Sequence, residues 1–350
     1  MHTTQLDRSR INRILVIKPR AIGDVLLSTP VPANLRRAFP AARIDFMVEN
    51  FAAPVLERNP NIDNIISYDS SSDSSLGVIW KVRRNRYDLV IDLFANPRTA
   101  VVTFFSAASY RVGYPFKWRK HAYNIIVEPR GALVHNVEFN LDAIRRIGIP
   151  ADVSSPQFFI DEKSDSFASD FMRARSIDPD KFISLNLGGG WEIKRWKADK
   201  IIRLCTMIAS DLRLPVVVLY GRSEENEARR ICADSPAVLG PPTNLHEMGA
   251  IMRKSIALIT NDSGPMHIAA SLGVPTVAVF GPTSPSLQGP YGNKSVIVRN
   301  EGLDCLECNR TTCPIGNICM TQLEAETVFQ KLLELLSSLG KGLRRTDESQ

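Results

Sequence analysis

Four stretches of this chain combine residue types able to do chemistry with glycines that let a ligand approach the backbone. The first is Lys18-Pro-Arg20-Ala-Ile-Gly23-Asp24. A carboxylate at the start of a helix there can take a proton from a hydroxyl nucleophile, although an aspartate in that place also serves as a plain helix cap. Gly23, Lys18 and Arg20 of the same turn are expected on the acceptor or phosphate side. The second stretch is Gly188-Gly-Gly-Trp191-Glu-Ile-Lys194-Arg195-Trp196. Three glycines free backbone amides for a phosphate, and Lys194 or Arg195 can neutralise it. The third, Gly221-Arg-Ser-Glu224, places a carboxylate at a helix start, where it can hold ribose hydroxyls or simply cap the helix. The fourth is Asn261-Asp262-Ser263-Gly264-Pro265-Met266-His267. Proline in a first turn marks a helix start, and free amides beside the Ser263 hydroxyl form a diphosphate site, with His267 one turn in.

These turns need strands to hold them. Arg13–Lys18 is a short continuous apolar run, the mark of a strand buried on both faces. Further strands are expected at Ile44–Val48, Ile65–Ser67 and Leu89–Asp92, with helical stretches at Val25–Ala38, 51–57 and 76–86. The pattern restarts with a helix at Lys163–Arg175 and strands at Phe182–Asn186, Val216–Tyr220, Ala257–Thr260, Thr276–Phe280 and Val296–Val298. A last helix spans Leu323–Leu339. Strands alternating with helices predict parallel sheets covered on both faces, in two doubly wound units. Ligands of such folds bind beyond the carboxyl ends of the strands, which is where all four stretches fall.

The composition narrows the partners. The chain has 350 residues, 44% of them hydrophobic and 23% charged. That excludes a disordered chain and a disulfide-dense mini-protein. No apolar run reaches the ~18–20 residues of a membrane span, and the polar Met1–Arg10 does not read as a signal peptide, so a cytoplasmic location is expected. Residues 1–160 carry 21 Lys+Arg against 14 Asp+Glu, a net of +7, whereas residues 161–350 carry 22 against 23. A basic first half attracts a polyanion or is simply a solvated face. The first turn lacks Gly-x-Gly-x-x-Gly, which counts against a dehydrogenase, and no phosphate-loop NTPase motif occurs.

Together, Ile14-Leu-Val-Ile-Lys-Pro-Arg-Ala-Ile-Gly-Asp-Val-Leu, Asn261-Asp-Ser-Gly-Pro-Met-His and Phe280-Gly-Pro-Thr resemble glycosyltransferase family 9, the ADP-heptose:lipopolysaccharide heptosyltransferases. The resemblance runs along nearly the whole chain. It implies an α/β GT-B fold, two facing Rossmann-like domains with parallel sheets and an interdomain cleft. The expected domains are an acceptor-binding domain at 1–165, a nucleotide-sugar domain at 166–340 and a tail at 341–350. It further implies inverting, metal-independent transfer of heptose from ADP-heptose to an anionic lipopolysaccharide inner core of the lipid A–Kdo type. The place would be the cytoplasmic face of the inner membrane, with neither nucleic acid nor an obligate protein partner. By position, Asp24 is similar to the family's general base and Lys194 to its phosphate-contacting lysine. Asp262, Ser263, Gly264 and His267 match the donor-diphosphate segment, and Glu224 the ribose carboxylate. Ser263 stands where threonine is common and keeps the hydroxyl.

Cys305, Cys308, Cys313 and Cys319 cluster in the sequence. Their spacing suits a structural zinc or iron–sulfur group, or four reduced thiols packing a loop. The cluster lies far along the chain from the four turns, so a structural role is expected. Other readings of the same residues are a family member using another nucleotide sugar or acceptor, a nucleotide-sugar epimerase of the same fold, and a non-catalytic nucleotide-sugar or lipid-binding protein.

Overall fold

The first apolar run forms β1 (Arg13–Ile17) in a computed structural model that describes residues 6–131, 133–292 and 294–340. The chain divides into two units, Met1–Phe159 and Ile160–Gln350. The expected tail, 341–350, lies outside the described residues.

In the first unit β1 is joined by β2 (Arg43–Glu49), β3 (Asn64–Tyr68), β4 (Leu89–Asp92), β5 (Tyr110–Gly113) and β6 (Ile125–Ile126). The sheet order is β3-β2-β1-β4-β5-β6, parallel throughout. The chain therefore reverses its direction of sheet growth between β1 and β4, which makes that crevice the switch point. Leu15, Ile17, Met47 and Val90 bury one face against Val78, Val82 and Val102 of the flanking helices.

The single helix expected over Val25–Ala38 is two: α1 (Ile22–Leu26) and α2 (Pro30–Ala38). Ser28 and Thr29 turn their hydroxyls back onto the carbonyls of Val25 and Leu26, each at 2.7 Å, and Pro30 starts the next helix instead of continuing the first. The helix expected at 51–57 is a 3-10 turn, Asn50–Val55, interrupted by Pro54. α3 (Ser75–Arg84) falls where the periodicity placed it, and α4 (Pro97–Phe105) and α5 (Asn136–Arg145) complete the cover.

One glycine of this sheet is fixed by a close approach. A Cβ at Gly113 would stand 2.5 Å from the Tyr123 ring, whose hydroxyl donates to the buried Asp92 carboxylate at 2.8 Å. Gly113→Ala should cost about 1–3 kcal/mol, the usual penalty of overpacking. Chemical denaturation at neutral pH measures it. A variant as stable as the parent would show that Tyr123 moves freely.

The second unit repeats the plan. α6 (Glu162–Ala174), capped by Asp161, leads into β7 (Ile183–Asn186), followed by α7 (Ala198–Met207), β8 (Val216–Leu219), α8 (Glu225–Ala233) and β9 (Val238–Leu239). Then come α9 (Leu245–Arg253), β10 (Ala257–Asn261), α10 (Gly264–Ser271), β11 (Thr276–Val279), α11 (Pro285–Gln288), β12 (Ser295–Val298), α12 (Ile318–Thr321) and α13 (Ala325–Ser338). The order β12-β11-β10-β7-β8-β9 is again parallel, with its switch point between β7 and β10. α6 packs on α9, and Asp165 pairs with Arg253 and Lys254, so α6 belongs with the second unit. α13 closes the sheet with Val328, Phe329, Leu332, Leu335 and Leu336, all buried. Each contributes roughly 1.5–3 kcal/mol of transfer free energy.

Candidate active site

In the first unit the switch point gathers Lys18, just beyond β1, with Asp92 at the end of β4. Lys18 is buried, its ammonium 3.3 Å from the Leu93 carbonyl, 3.5 Å from Asn140 Oδ1 and over the Phe94 ring. Burial pushes its pKa down, against the pull of the Asp24 and Asp92 carboxylates. Lys18, expected on the acceptor or phosphate side, is thus a buried cation at this switch point. Burial also lifts Asp92, opposed by hydrogen bonds from the Ala95 amide and the Tyr123 hydroxyl.

Asp24 stands at the third position of α1. Its Oδ2 accepts from the Ala21 amide at 3.1 Å, so the capping role is real, while Oδ1 accepts from Asn136 Nδ2 at 3.3 Å. The carboxylate is half-buried. Capping and catalysis are compatible here, because each oxygen has lone pairs beyond those two contacts. Asn136, at the first turn of α5, was not singled out from the sequence; an asparagine at a helix start carries no signal of its own. Gly23 is buried inside α1, and Arg20 is exposed with its guanidinium 3.8 Å from Glu49.

The second unit brings together residues from four loops at the β7/β10 switch point. Lys194 Nζ meets Asp262 Oδ2 at 2.6 Å and lies over the Trp191 ring, 4.6 Å from its centroid. The pair is nearly closed to solvent, with side-chain exposures of 11% and 5%. The same Asp262 oxygen accepts from the Thr283 hydroxyl at 2.6 Å, so the turn after β11 joins the cluster. Asp262, expected in the donor-diphosphate segment, is the ion-pair partner of Lys194. Asn261 straps the glycine-rich loop: its amide donates to the Leu187 carbonyl at 3.0 Å and its oxygen accepts from the Trp196 amide at 3.1 Å.

Glu224 is similarly occupied. Oε1 accepts from Arg195 at 2.6 Å and from Ser223, and Oε2 accepts from the Gly221 amide at 2.9 Å. The capping contact is thus present at this carboxylate, and Arg195 is its ion-pair partner. Ser263 stands at the N-cap position of α10 without a capping hydrogen bond from its side chain; its hydroxyl lies 3.2 Å from that of Thr260. Gly264 and Met266 follow with first-turn amides that the helix does not use, and His267 is buried one turn in. A buried ammonium beside unused helix amides is a cradle for a diphosphate.

The cysteine segment is close to this cluster in space although distant in sequence. Asn317 donates to the Ile193 carbonyl at 3.0 Å, bracing the turn Glu192–Lys194. Cys313 Sγ accepts from the Asn317 amide, and Cys319 Sγ lies 3.6 Å from Asn317 Oδ1. Asn309 N donates to the Pro282 carbonyl at 2.6 Å, and Cys319 and Met320 fill the space beside Gly281. Cys313 and Cys319 thus take part in packing and bracing, whereas Cys308 is exposed. Burial lifts the Cys319 thiol, and Cys305, Cys308 and Cys313 lie near enough to raise it further; among the described residues no three His, Cys, Asp or Glu side chains are placed to hold a metal.

Comparison with known proteins gives the family and the fold. The model of glycosyltransferase family 9 (heptosyltransferase) matches residues 77–319. The lipooligosaccharide heptosyltransferase 2 of Haemophilus influenzae is 27% identical over 93% of this chain and 99% of its own length. A solved family 9 glycosyltransferase from Veillonella parvula superposes with a TM-score of 0.82 at 25% identity, covering 93% of this chain and 97% of that one. The Escherichia coli ADP-heptose lipopolysaccharide heptosyltransferase II superposes at 0.76 with 23% identity, covering 94% and 99%. The α/β architecture is the GT-B one of these structures.

Proposed function

The chain belongs to glycosyltransferase family 9, the heptosyltransferase family of lipopolysaccharide core biosynthesis, and on that premise we propose that it moves heptose from ADP-heptose to a hydroxyl of the lipopolysaccharide inner core with inversion. In this reading Asp24 takes the proton from the acceptor hydroxyl. The freed oxygen attacks the anomeric carbon as its bond to the β-phosphate oxygen breaks, and ADP leaves with the bonding electron pair. Lys194 and the first-turn amides of α10 neutralise the charge that develops on the leaving diphosphate. With an ammonium in that role, transfer needs no divalent cation. Asp262 and Thr283 hold Lys194 at its post, and Glu224, through Arg195, fixes the loop beside it.

The observation that carries the reading is Lys194 paired with Asp262 at the switch point of the second sheet, next to α10. The acceptor reading rests on the charge of the first unit and on Asp24 beside the β1/β4 crevice. It implies an enzyme that works at the cytoplasmic face of the inner membrane, where a lipid A–Kdo acceptor is anchored. No helix among the described residues is long and apolar enough to cross a membrane.

The test is ADP release from the purified protein given ADP-heptose, with and without heptose-deficient core. Acceptor-dependent release, unchanged after chelation and dialysis, is the expected result. Release or sugar inversion without acceptor would move the protein to the epimerase reading. Binding of ADP-heptose with no turnover on any core would leave a binding protein.

A further inference from the structure

The first unit carries an aromatic and basic face that no element among the described residues covers. α3, α4 and the 3-10 turn Lys117–Ala122 lie side by side on it, tied by the bond from Arg83 to the Phe105 carbonyl at 3.1 Å. Trp80 is 62% exposed, Trp118 59%, Phe104 52% and Phe105 48%, and Leu76 adds a further exposed apolar side chain. Four large aromatics left in water on adjoining elements are not required by the core, which Val78, Val82 and Val102 of the same helices already fill. Phe104, Phe105 and Trp118 also wall an apolar cavity of about 160 Å³, with Val101 and His121.

Charge decides what this face suits. Residues 75–122 contain nine Lys and Arg against two acids, Asp88 and Asp92. Both acids are turned to internal work: Asp88 accepts from the Asn12 and Arg13 amides, and Asp92 is buried. Among the described residues no carboxylate is within ion-pair distance of Lys81, Arg84, Arg86, Lys117 or Lys120. Arg84 instead lies over the Trp80 ring at 4.8 Å. Tryptophan and phenylalanine interleaved with cations match the interface of an anionic bilayer, where rings sit at headgroup depth and lysine and arginine snorkel to phosphate.

We propose that the α3–α4–Lys117–Ala122 face docks the enzyme on an anionic lipid bilayer, with Trp80, Phe104, Phe105 and Trp118 inserted and the flanking cations on headgroup phosphates. The inference rests on the reading that the acceptor is membrane-anchored, and it assigns the surface that reading needs. The location is suited to delivery. Arg119 donates to the Ala95 carbonyl at 2.7 Å, just past β4, so the docked face begins at the carboxyl edge of the sheet that also carries Asp24. A lipid held there presents its headgroup sugars to the β1/β4 crevice without leaving the leaflet.

The experiment uses the full chain and vesicles of phosphatidylcholine with or without about 30% phosphatidylglycerol, read by flotation. The expected result is binding to the anionic vesicles only, weakened at least about tenfold by Lys117→Glu/Lys120→Glu and by Phe104→Ser/Trp118→Ser. Tryptophan fluorescence should be quenched by brominated lipid, and Trp80→Phe/Trp118→Phe should remove the quenching, since Trp191 and Trp196 belong to the second unit. Unaltered binding by the variants, or no binding by the parent, overturns the proposal. So does parent self-association that the same variants abolish, which would make the face a contact between copies. ADP affinity and the unfolding midpoint of each variant should equal those of the parent, which shows that the fold is intact. Vesicle binding and acceptor-dependent ADP release are read separately, so a failed docking surface and a failed heptosyltransferase reading give different results.

Discussion

Lys194→Ala should lower kcat by about 10²–10³-fold, the loss seen when one preorganised donor is removed from a developing anion. The ammonium is held by Asp262 at 2.6 Å, and it stands in a nearly dry site where charge is weakly screened. In the proposed reaction, neutralisation of the departing diphosphate rests on it more than on any surface cation. The variant also strips one partner from a closed ion pair, which costs stability of about 3–5 kcal/mol. Lys194→Ala/Asp262→Asn, which leaves no uncompensated carboxylate, separates the two effects. It should recover much of the stability and none of the rate. Single-turnover kinetics with ADP-heptose and acceptor measure the first, and denaturant titration the second. A Lys194→Ala enzyme with parental kcat would hand the role to Arg195 or Lys197.

Asp24→Ala should reduce transfer by about 10²–10⁴-fold, the range for a positioned general base, with ADP binding unchanged. Its Oδ2 also accepts from the Ala21 amide, so alanine loses a cap worth about 0.5–2 kcal/mol. Asp24→Asn keeps an oxygen for that amide and removes the basicity, so it should be nearly as stable as the parent and nearly as inactive as the alanine variant. Calorimetric titration with ADP beside steady-state rates checks both. Weakened ADP binding in Asp24→Asn would place the carboxylate with the donor, and a rate close to the parent's would leave it as a cap alone.

The long apolar strands were legible from sequence because burial on both faces leaves no alternation to misread. β1, β2, β4, β7, β8, β10 and β11 all fall within two residues of their expected limits. β5, β6 and β9 were not seen. β6 and β9 are two residues each, at sheet edges, and β5 pairs through Tyr110-Arg-Val-Gly113, whose polar and glycine positions break the run. The split between α1 and α2 was invisible to periodicity because apolar spacing continues through Ser28 and Thr29, whose hydroxyls do the breaking. The motifs fall on the turns beyond β1, β7, β8 and β10, but they do not say which side chains meet. Lys194 and Asp262 are 68 residues apart, and Arg195 and Glu224 are 29 apart. Only the order β10-β7-β8 makes them neighbours. The same holds for Asn317, whose bond to Ile193 no local pattern announces.

That bond, together with the one from Trp196 Nε1 to the Leu323 carbonyl at 2.9 Å, has a consequence for the order in which the protein is made. Every strand of the first unit has been synthesised by Ile126. The loop that carries Lys194 waits for partners 124 and 127 residues further on. A nascent chain, or a truncated one ending at Gly316, holds every residue of the glycine-rich motif and of Asn261–His267, yet lacks both braces. Loop closure over such a span adds little entropy for each further residue, so the delay comes from translation, not from the search. The first unit can thus mature on the ribosome, while Lys194 is set only as the last helix emerges.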